Sequence, residues 1–318
     1  MGYPGILNRA EFATGLLIRS IKINGHYLLV DECNINQSQN IDSDNNYIQG
    51  GPSQYISFYD SKKITGSISF PIRVDSNNSL EQAVKELINH AQSPTTALSI
   101  DTNHVLVHTP ITAENHATDN NKLLKLDQVI VSSLTLRCSQ NEAANISVNF
   151  EGMIDSNADS NYSIPNENAL LGRALTWGDC NAYREESSLR NINSFSIQID
   201  NKIETPTFLL PYQTYESGIA STRNDQINLL GFSSTKWTGN LNELVRVGAD
   251  LETFIHGGYI KGENLTFEVG PLKVLFQNPL FKISQLPLTS GILTRTVEWI
   301  GITKPKQALT PYSLITIN

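Results

Sequence analysis

The sequence predicts a mainly-β protein: two tandem β-sandwich or barrel domains, each with one short α-helix packed on its sheet. Three observations lead there. Ile64, Gly66, Ile68, Phe70, Ile72 and Val74 share one parity with polar residues between them, and a period of two marks a strand buried on one face. Asn, Ser and Thr are abundant while charged residues make up only 17%, which suits polar β surfaces better than helical ones. A set of weak motifs also occurs twice in the same order. Ser20-Ile21-Lys22-Ile23 recurs as Ser194-Phe195-Ser196-Ile197, and Ile64-Thr65-Gly66-Ser67-Ile68 as Trp237-Thr238-Gly239-Asn240-Leu241. Leu80-x-x-Ala83-Val84 recurs as Leu251-x-x-Phe254-Ile255, and Val148-x-Phe150-x-Gly152 as Val297-x-Trp299-x-Gly301. Self-similarity in fixed order reads as an internal duplication.

Residues 1–17, interrupted by Pro4, Gly5 and Gly15, are expected to form an N-terminal arm. Domain 1 is expected over 18–154. Its opening hairpin turns at Asn24-Gly25, a pair suited to positive φ. Residues 34–51 are mostly Asn, Gln, Ser and Asp and read as a long polar loop. A strand over 64–74 follows, then a turn at 75–78. Ser79 is placed to cap a helix, with Gln82 completing a capping box. Leu80, Ala83, Val84, Leu87 and Ile88 make one apolar stripe, and Pro94 stops the helix. Strands are expected over 97–100, 105–108, 128–136 and 145–153, with a polar loop at 113–121.

Residues 155–190 are expected to link the halves, polar up to Asn168 and then carrying a strand or docking segment over 175–183. Domain 2 is expected over 191–302. Its strands lie over 192–199, 237–247, 265–269, 272–276, 281–286 and 292–300, with a loop over 205–231. Asp250 caps a two-turn helix with Leu251, Phe254 and Ile255, ended by Gly257-Gly258. Residues 303–318 form a C-terminal tail with a last strand at 312–317.

The 318 residues suit two domains. Lys and Arg number 23 against 31 Asp and Glu, for a net charge of −8. That argues against an electrostatic grip on nucleic acid, which needs clustered cations, and fits a wall that repels phosphate. No apolar run approaches the ~18–20 residues of a membrane helix. The first residues lack a signal-peptide layout, and Ile6 stands where a myristoylation signal has Ser or Thr. Cys33, Cys138 and Cys180 are odd in number and widely spaced. Buried reduced thiols in a cytosolic protein are the expectation, with no disulfide framework and no zinc site.

Hydrolase, Walker and dinucleotide-binding signatures are absent from the sequence. No catalytic, cofactor-binding or metal residue is assigned. His104 and His108 have helical ligand spacing but flank a strand-like Val105-Leu106-Val107, which would hold them ~13 Å apart. Asp42-x-Asp44-x-Asn46 opens like a calcium loop but continues with Tyr47 and Ser53 where Gly and Glu are needed. Glu151 and Glu298 sit on the two closing strands, two residues out of register, and read as surface charge.

Hairpin, polar loop, Thr-Gly strand, capped helix and closing strand together resemble the bacteriophage tail-tube family. Thr65–Ile68, the stripe from Ser79 to Ile88, and Val148–Gly152 carry this in the first half. Thr238–Leu241, Asp250–Ile255 and Val297–Gly301 carry it in the second. The fold is shared by tubes of contractile injection systems and, in tandem, by baseplate hub proteins. The resemblance implies tandem tube-like domains whose strands continue across subunits into a closed barrel. It implies a non-enzymatic virion structural protein, assembled in the host cytoplasm and needing no cofactor. Its partners would be its own copies, in a hexameric ring or a pseudo-hexameric trimer stacked into a tube. Sheath, baseplate and tape-measure proteins would be neighbours, DNA would pass during ejection without specific binding, and nothing would span a membrane. The polar loops at 34–51 and 205–231 would touch stacked rings. Two alternatives stay open: a baseplate hub ring of three chains, and a carbohydrate-binding β-sandwich adhesin presenting Tyr55, Tyr59, Tyr212 and Tyr215.

Overall fold

A computed structural model describes residues 15–38, 41–43, 57–59, 63–94, 97–107, 122–154, 172–185, 187–204, 231–244, 263–283, 294–301 and 313–317. The protein is mainly β, with one α-helix among the described residues. In the first half β1 (Gly15–Ile23) and β2 (His26–Leu28) form the expected hairpin, with Asn24 and Gly25 at φ 48° and 82°. Then come β3 (Glu32–Ser38), the short pair β4 (Ile41–Ser43) and β5 (Ser57–Tyr59), β6 (Lys63–Pro71) and β7 (Arg73–Val74). Helix α1 (Gln82–Gln92) precedes β8 (Leu98–Val107), β9 (Lys122–Ser139) and β10 (Asn145–Ile154). Next are β11 (Arg173–Ala174), β12 (Cys180–Arg184), β13 (Ser187–Ser188), β14 (Ile192–Glu204) and β15 (Gly231–Leu244). The chain continues through β16 (Leu265–Val269), β17 (Leu272–Phe276), β18 (Leu280–Ile283), β19 (Thr294–Gly301) and β20 (Ser313–Ile317).

One antiparallel sheet runs through both halves in the order β18-β19-β15-β14-β9-β10-β6-β3. Strands β8, β1 and β2 branch from the far end of β9. The long strand β9 serves both layers because its register with β10 shifts between Asn149 and Phe150 and again between Glu151 and Met153. Such irregularities bend a strand and sharpen its twist. The residues show the slip directly: Val129, Ile130 and Val131 are all buried, and the buried parity then moves to Leu134, Leu136 and Cys138. In the first half the inner face is covered by α1 and the β1 layer. In the second half a separate sheet, β13-β12-β16-β17-β20, covers it.

The two halves fill their cores differently. The first is mostly aliphatic, with Ile21, Ile23, Ile64, Ile68, Leu87 and Ile88 at or below 1% exposure. The second is aromatic. Trp299 stacks on Phe267 at 5.3 Å and meets Phe276 edge-on at 5.6 Å, while Phe195 lies 4.8 Å from Phe267. Offset and T-shaped contacts of this kind add to area burial.

The Thr-Gly motifs acquire a physical reason. Gly66 lies directly across from Phe150, and Gly239 directly across from Trp299. A Cβ on either glycine would overlap the facing ring. On the other side Gly66 faces Ile35 and Gly239 faces Ile197, so the same three-strand arrangement occurs twice. The opening strands do not match in the same way. Strand β1 pairs with β2 and β8, whereas β14 pairs with β15 and β9. By register, β3 is the strand that stands where β14 does.

Three local expectations change. Residues 34–38 are not loop but continue β3, with Cys33 and Ile35 packed against the core and polar residues on the other face. With so few apolar residues, that periodicity is hidden in the sequence. Ser79 does not cap α1. Asp75 organises the turn instead, accepting from the amides of Asn77 and Ser79 at 2.8 Å each. Leu80 is drawn into a bridge with Val74, and the helix starts after Glu81. Residues 98–107 form one strand rather than two. The helix expected at 250–255, and the loops at 113–121 and 205–230, lie outside the described residues.

The segment over residues 172–180 is held by backbone. Leu175 donates to Ile72 O and accepts from Ala144, both at 2.8 Å, while Gly270 donates to Asp179 O at 3.0 Å. Asp179 accepts from Arg173 Nη1 at 2.8 Å and from the Thr176 amide at 2.9 Å. The hydrogen bond from Arg173, then the Thr176 amide, outweigh burial and hold its carboxyl below the usual range.

Gly66→Ala and Gly239→Ala should each lower stability by ~1–3 kcal/mol, the usual cost of overpacking, in chemical denaturation. Asp179→Ala should cost about 1 kcal/mol at pH 7. A carboxyl depressed in the folded state contributes stability above its unfolded pKa and loses it as pH falls through the folded one. Plots of stability against pH for the parent and Asp179→Ala should therefore converge as pH drops below the ordinary value of 3.8.

Candidate functional site

Alternation along each strand gives the eight-stranded sheet an outer face of its own. Reading across it, Asn145, Arg137, Ser196, Asn240, Glu298 and Lys282 form one row on β10, β9, β14, β15, β19 and β18. A second row runs Glu32, Ser69, Ser147, Thr135, Gln198, Thr238, Ile300 and Leu280, from β3 to β18. A third runs Asn34, Ser67, Asn149, Ser133, Asp200 and Lys236. The face is thus mostly hydroxyl and amide, and it bonds to itself. Asn149 Nδ2 donates to Ser133 Oγ at 2.7 Å, Thr296 Oγ1 to Asn242 Oδ1 at 2.7 Å, and Asn242 Nδ2 to Ser194 Oγ at 3.0 Å. The last two join three strands.

Charges on these rows nearly balance. Glu32, Asp200 and Glu298 stand against Arg137, Lys236 and Lys282, and Lys282 Nζ lies 3.3 Å from Glu298. The acidic excess of the whole chain is not concentrated on this face. One departure from polarity stands out: Leu280 and Ile300 face each other across β18 and β19, 53% and 43% exposed.

The sheet edges differ in how they are finished. Strand β20, outermost in the five-stranded sheet, is clasped by Gln92 at the end of α1. The amide donates to Ile315 O at 3.0 Å and accepts from Ile315 N at 2.7 Å, as a neighbouring strand would. At the other end of that sheet β13 is only two residues long. Clasps and short edges discourage strand addition. The eight-strand run ends at β3 and β18, of seven and four residues, and the branch through β8 and β1 ends at the three-residue β2. Eight strands alternate in direction, so β3 and β18 run oppositely. A copy placed beside the first in the same orientation would continue the antiparallel pattern.

The residues weighed from sequence are not brought together. His104 lies in β8 opposite Ile18 and Lys122, and His108 lies outside the described residues. Asp42 lies in β4 opposite Phe58; Asp44, Asn46, Tyr55, Tyr212 and Tyr215 lie outside the described residues. Tyr59 sits opposite Ile41. Glu151 on β10 and Glu298 on β19 are four strand steps apart, at least ~19 Å, well beyond the carboxylate spacings of glycosidases. Among the described residues no group of three or more metal ligands occurs, and no helix is long and apolar enough to cross a membrane.

Two features escape the sequence. Glu243 and Arg295, opposite each other on β15 and β19, form a buried ion pair on the inner face. Neither their spacing nor their neighbours in the chain signals it. The cysteines also depart from expectation: Cys138 and Cys180 are joined, while Cys33 is free. Their 42-residue separation says nothing of pairing; only the stacking of two sheets brings them together.

No protein-family model matches the chain, and no curated protein matches it in sequence.

Replacing Gln92 with Ala should unclasp β20. Hydrogen exchange at the Ile315 amide should speed by roughly tenfold or more, the equivalent of about 1.4 kcal/mol, with the amides of β14 unchanged.

Proposed function

We propose that this chain is a virion structural protein, a ring-forming subunit of a bacteriophage tail, with the polar sheet face turned to the channel. The observation that carries this is the run of eight antiparallel strands from β18 to β3 within the large sheet, with a hydroxyl- and amide-rich outer face and with β3 the longer of its two end strands among the described residues. Joining β18 of one copy to β3 of the next extends the sheet with alternating direction intact, and closure removes both of those edges.

Strand count bears on stoichiometry. At ~4.8 Å between strands and a tilt of ~40°, a 24-stranded barrel is about 48 Å across between backbones. Three copies of eight strands make such a barrel, and side chains leave a bore of about 35 Å, wide enough for a duplex. Six copies would make a 48-stranded barrel about 95 Å across. The count favours three chains in a pseudo-hexameric ring, four strands from each half. Among the two tail positions it favours the baseplate hub ring over a hexameric tube.

The lining suits passage without adhesion. A nucleic acid is gripped through counterion release at clustered Lys and Arg. On the three rows cations and carboxylates are equal in number, with Lys236 opposite Asp200 and Lys282 paired with Glu298. The wall acts as conduit through neutrality and hydration rather than strong acidity. The duplicated Gly–aromatic arrangement supports a chain built of two like units, and the scattered carboxylates support a structural rather than enzymatic role.

Mass photometry and negative-stain microscopy of the purified protein test this. Closed rings of three times 35.2 kDa are the expected result. Long tubes would move the protein to the tube itself, and a monomer at high concentration would sink the reading. Leu280→Asp with Ile300→Asp should cut the ring population by ~10-fold or more, since burying each large apolar side chain is worth ~1.5–3 kcal/mol.

A further inference from the structure

The cysteine pair joins the two sheets at a place the ring reading does not use. Cys138 lies on the inner face of β9, opposite Phe195, and is fully buried. Cys180 opens β12, opposite Val269, and is only half-buried. The bond therefore ties the large sheet to the five-stranded one beside the aromatic core. Phe195 also lies 6.1 Å from Trp177, three residues before Cys180. The two Cα atoms are 7.5 Å apart. Most disulfides hold them at about 4.4–6.8 Å, so this bond bridges two strands that stand farther apart than is usual.

We propose that Cys138 and Cys180 form a reversible redox latch, open as a dithiol and closed as a disulfide that draws the five-stranded sheet onto the large one. The oxidant is a small-molecule disulfide such as glutathione disulfide. Exposure makes Cys180 the first nucleophile. Its thiolate attacks one sulfur of glutathione disulfide, expels one glutathione thiolate and leaves a mixed disulfide. The Cys138 thiolate then attacks the Cys180 sulfur and expels the second. One protein dithiol and one glutathione disulfide become one protein disulfide and two glutathione molecules. Cys33 does not compete. Burial pushes its thiol up to about 11, so almost none is thiolate near neutral pH, and the thiolate is the attacking form. Closure removes freedom from the unfolded chain across 42 residues of sequence separation.

The full chain is incubated with phosphine reductant or with glutathione disulfide, then denatured, alkylated with iodoacetamide and weighed. Three alkylations are expected from the reduced sample. One, assigned to Cys33 by peptide mapping, is expected from the oxidised sample. The oxidised protein should melt higher by roughly 5 °C or more, and reductant should reverse the gain. Cys138→Ala with Cys180→Ala should melt at one temperature in both conditions. Three alkylations after oxidation, a glutathione adduct retained at Cys180, or equal melting of both forms would each overturn the latch. A redox-dependent melt in the double variant would place the effect at Cys33 and overturn it too. Should the double variant fail to fold, the reduced and oxidised parent protein still decides the outcome.

Discussion

The pairing of β14 with β9 is the contact on which the rest of the molecule depends. Seven residue pairs, from Ser194 with Ser139 to Asp200 with Ser133, join the halves into one sheet. Because a strand's side chains alternate, this register places Leu134, Leu136, Phe195, Ile197 and Ile199 on one side together. A slip of one residue would turn that set outward and bring Ser, Thr and Gln into the core. The continuous outer face and the shared inner core follow from that one choice. Asn201, buried beyond the last pair, strengthens the joint: its amide donates to Ala91 O and Val131 O at 2.9 and 3.0 Å, and its carbonyl accepts from Thr235 at 2.8 Å.

Around the joint, the molecule relies on side chains that imitate backbone and backbone that replaces side chains. Gln92 completes the edge of β20 with an amide at the end of a helix. Leu175 enters the first half as one more rung, bonded to Ile72 and Ala144. Gly66 and Gly239 give up side chains so that an aromatic ring can lie over the strand. The first two devices give partners to backbone groups that would otherwise lack them, and the glycines make room for the rings. The polar sheet face and the aromatic core belong to one economy: residues of one parity pack and residues of the other stay wet.

Much of this was legible in the chain, and the particular failures are informative. Strong alternation located β6, β14, β16, β17 and β19 within a few residues, because each buries two or more large apolar side chains on one parity. The helix was visible from its stripe, but its start was not. Ser79 looked like a cap, while Asp75 and the pull of Leu80 toward Val74 decided the turn. Strand β3 was missed because Asn34, Asn36 and Gln37 outnumber Cys33 and Ile35, and a wet sheet face has the composition of a loop. The Thr-Gly recurrence shows in the sequence only as similarity; its cause, a ring lying across the strand, depends on the cross-strand partners Phe150 and Trp299.

The sequence by itself determined the class of the protein, the parity of its strands and the residues that must be inside, because these depend on local periodicity and composition. Only the tertiary structure decided that the halves share a sheet, that Cys138 meets Cys180, that Glu243 is buried with Arg295, and that the outer face is neutral while the chain is acidic. Those are relations between residues tens to more than a hundred positions apart. They depend on which strand lies beside which, and nothing within the span of one strand encodes that neighbour.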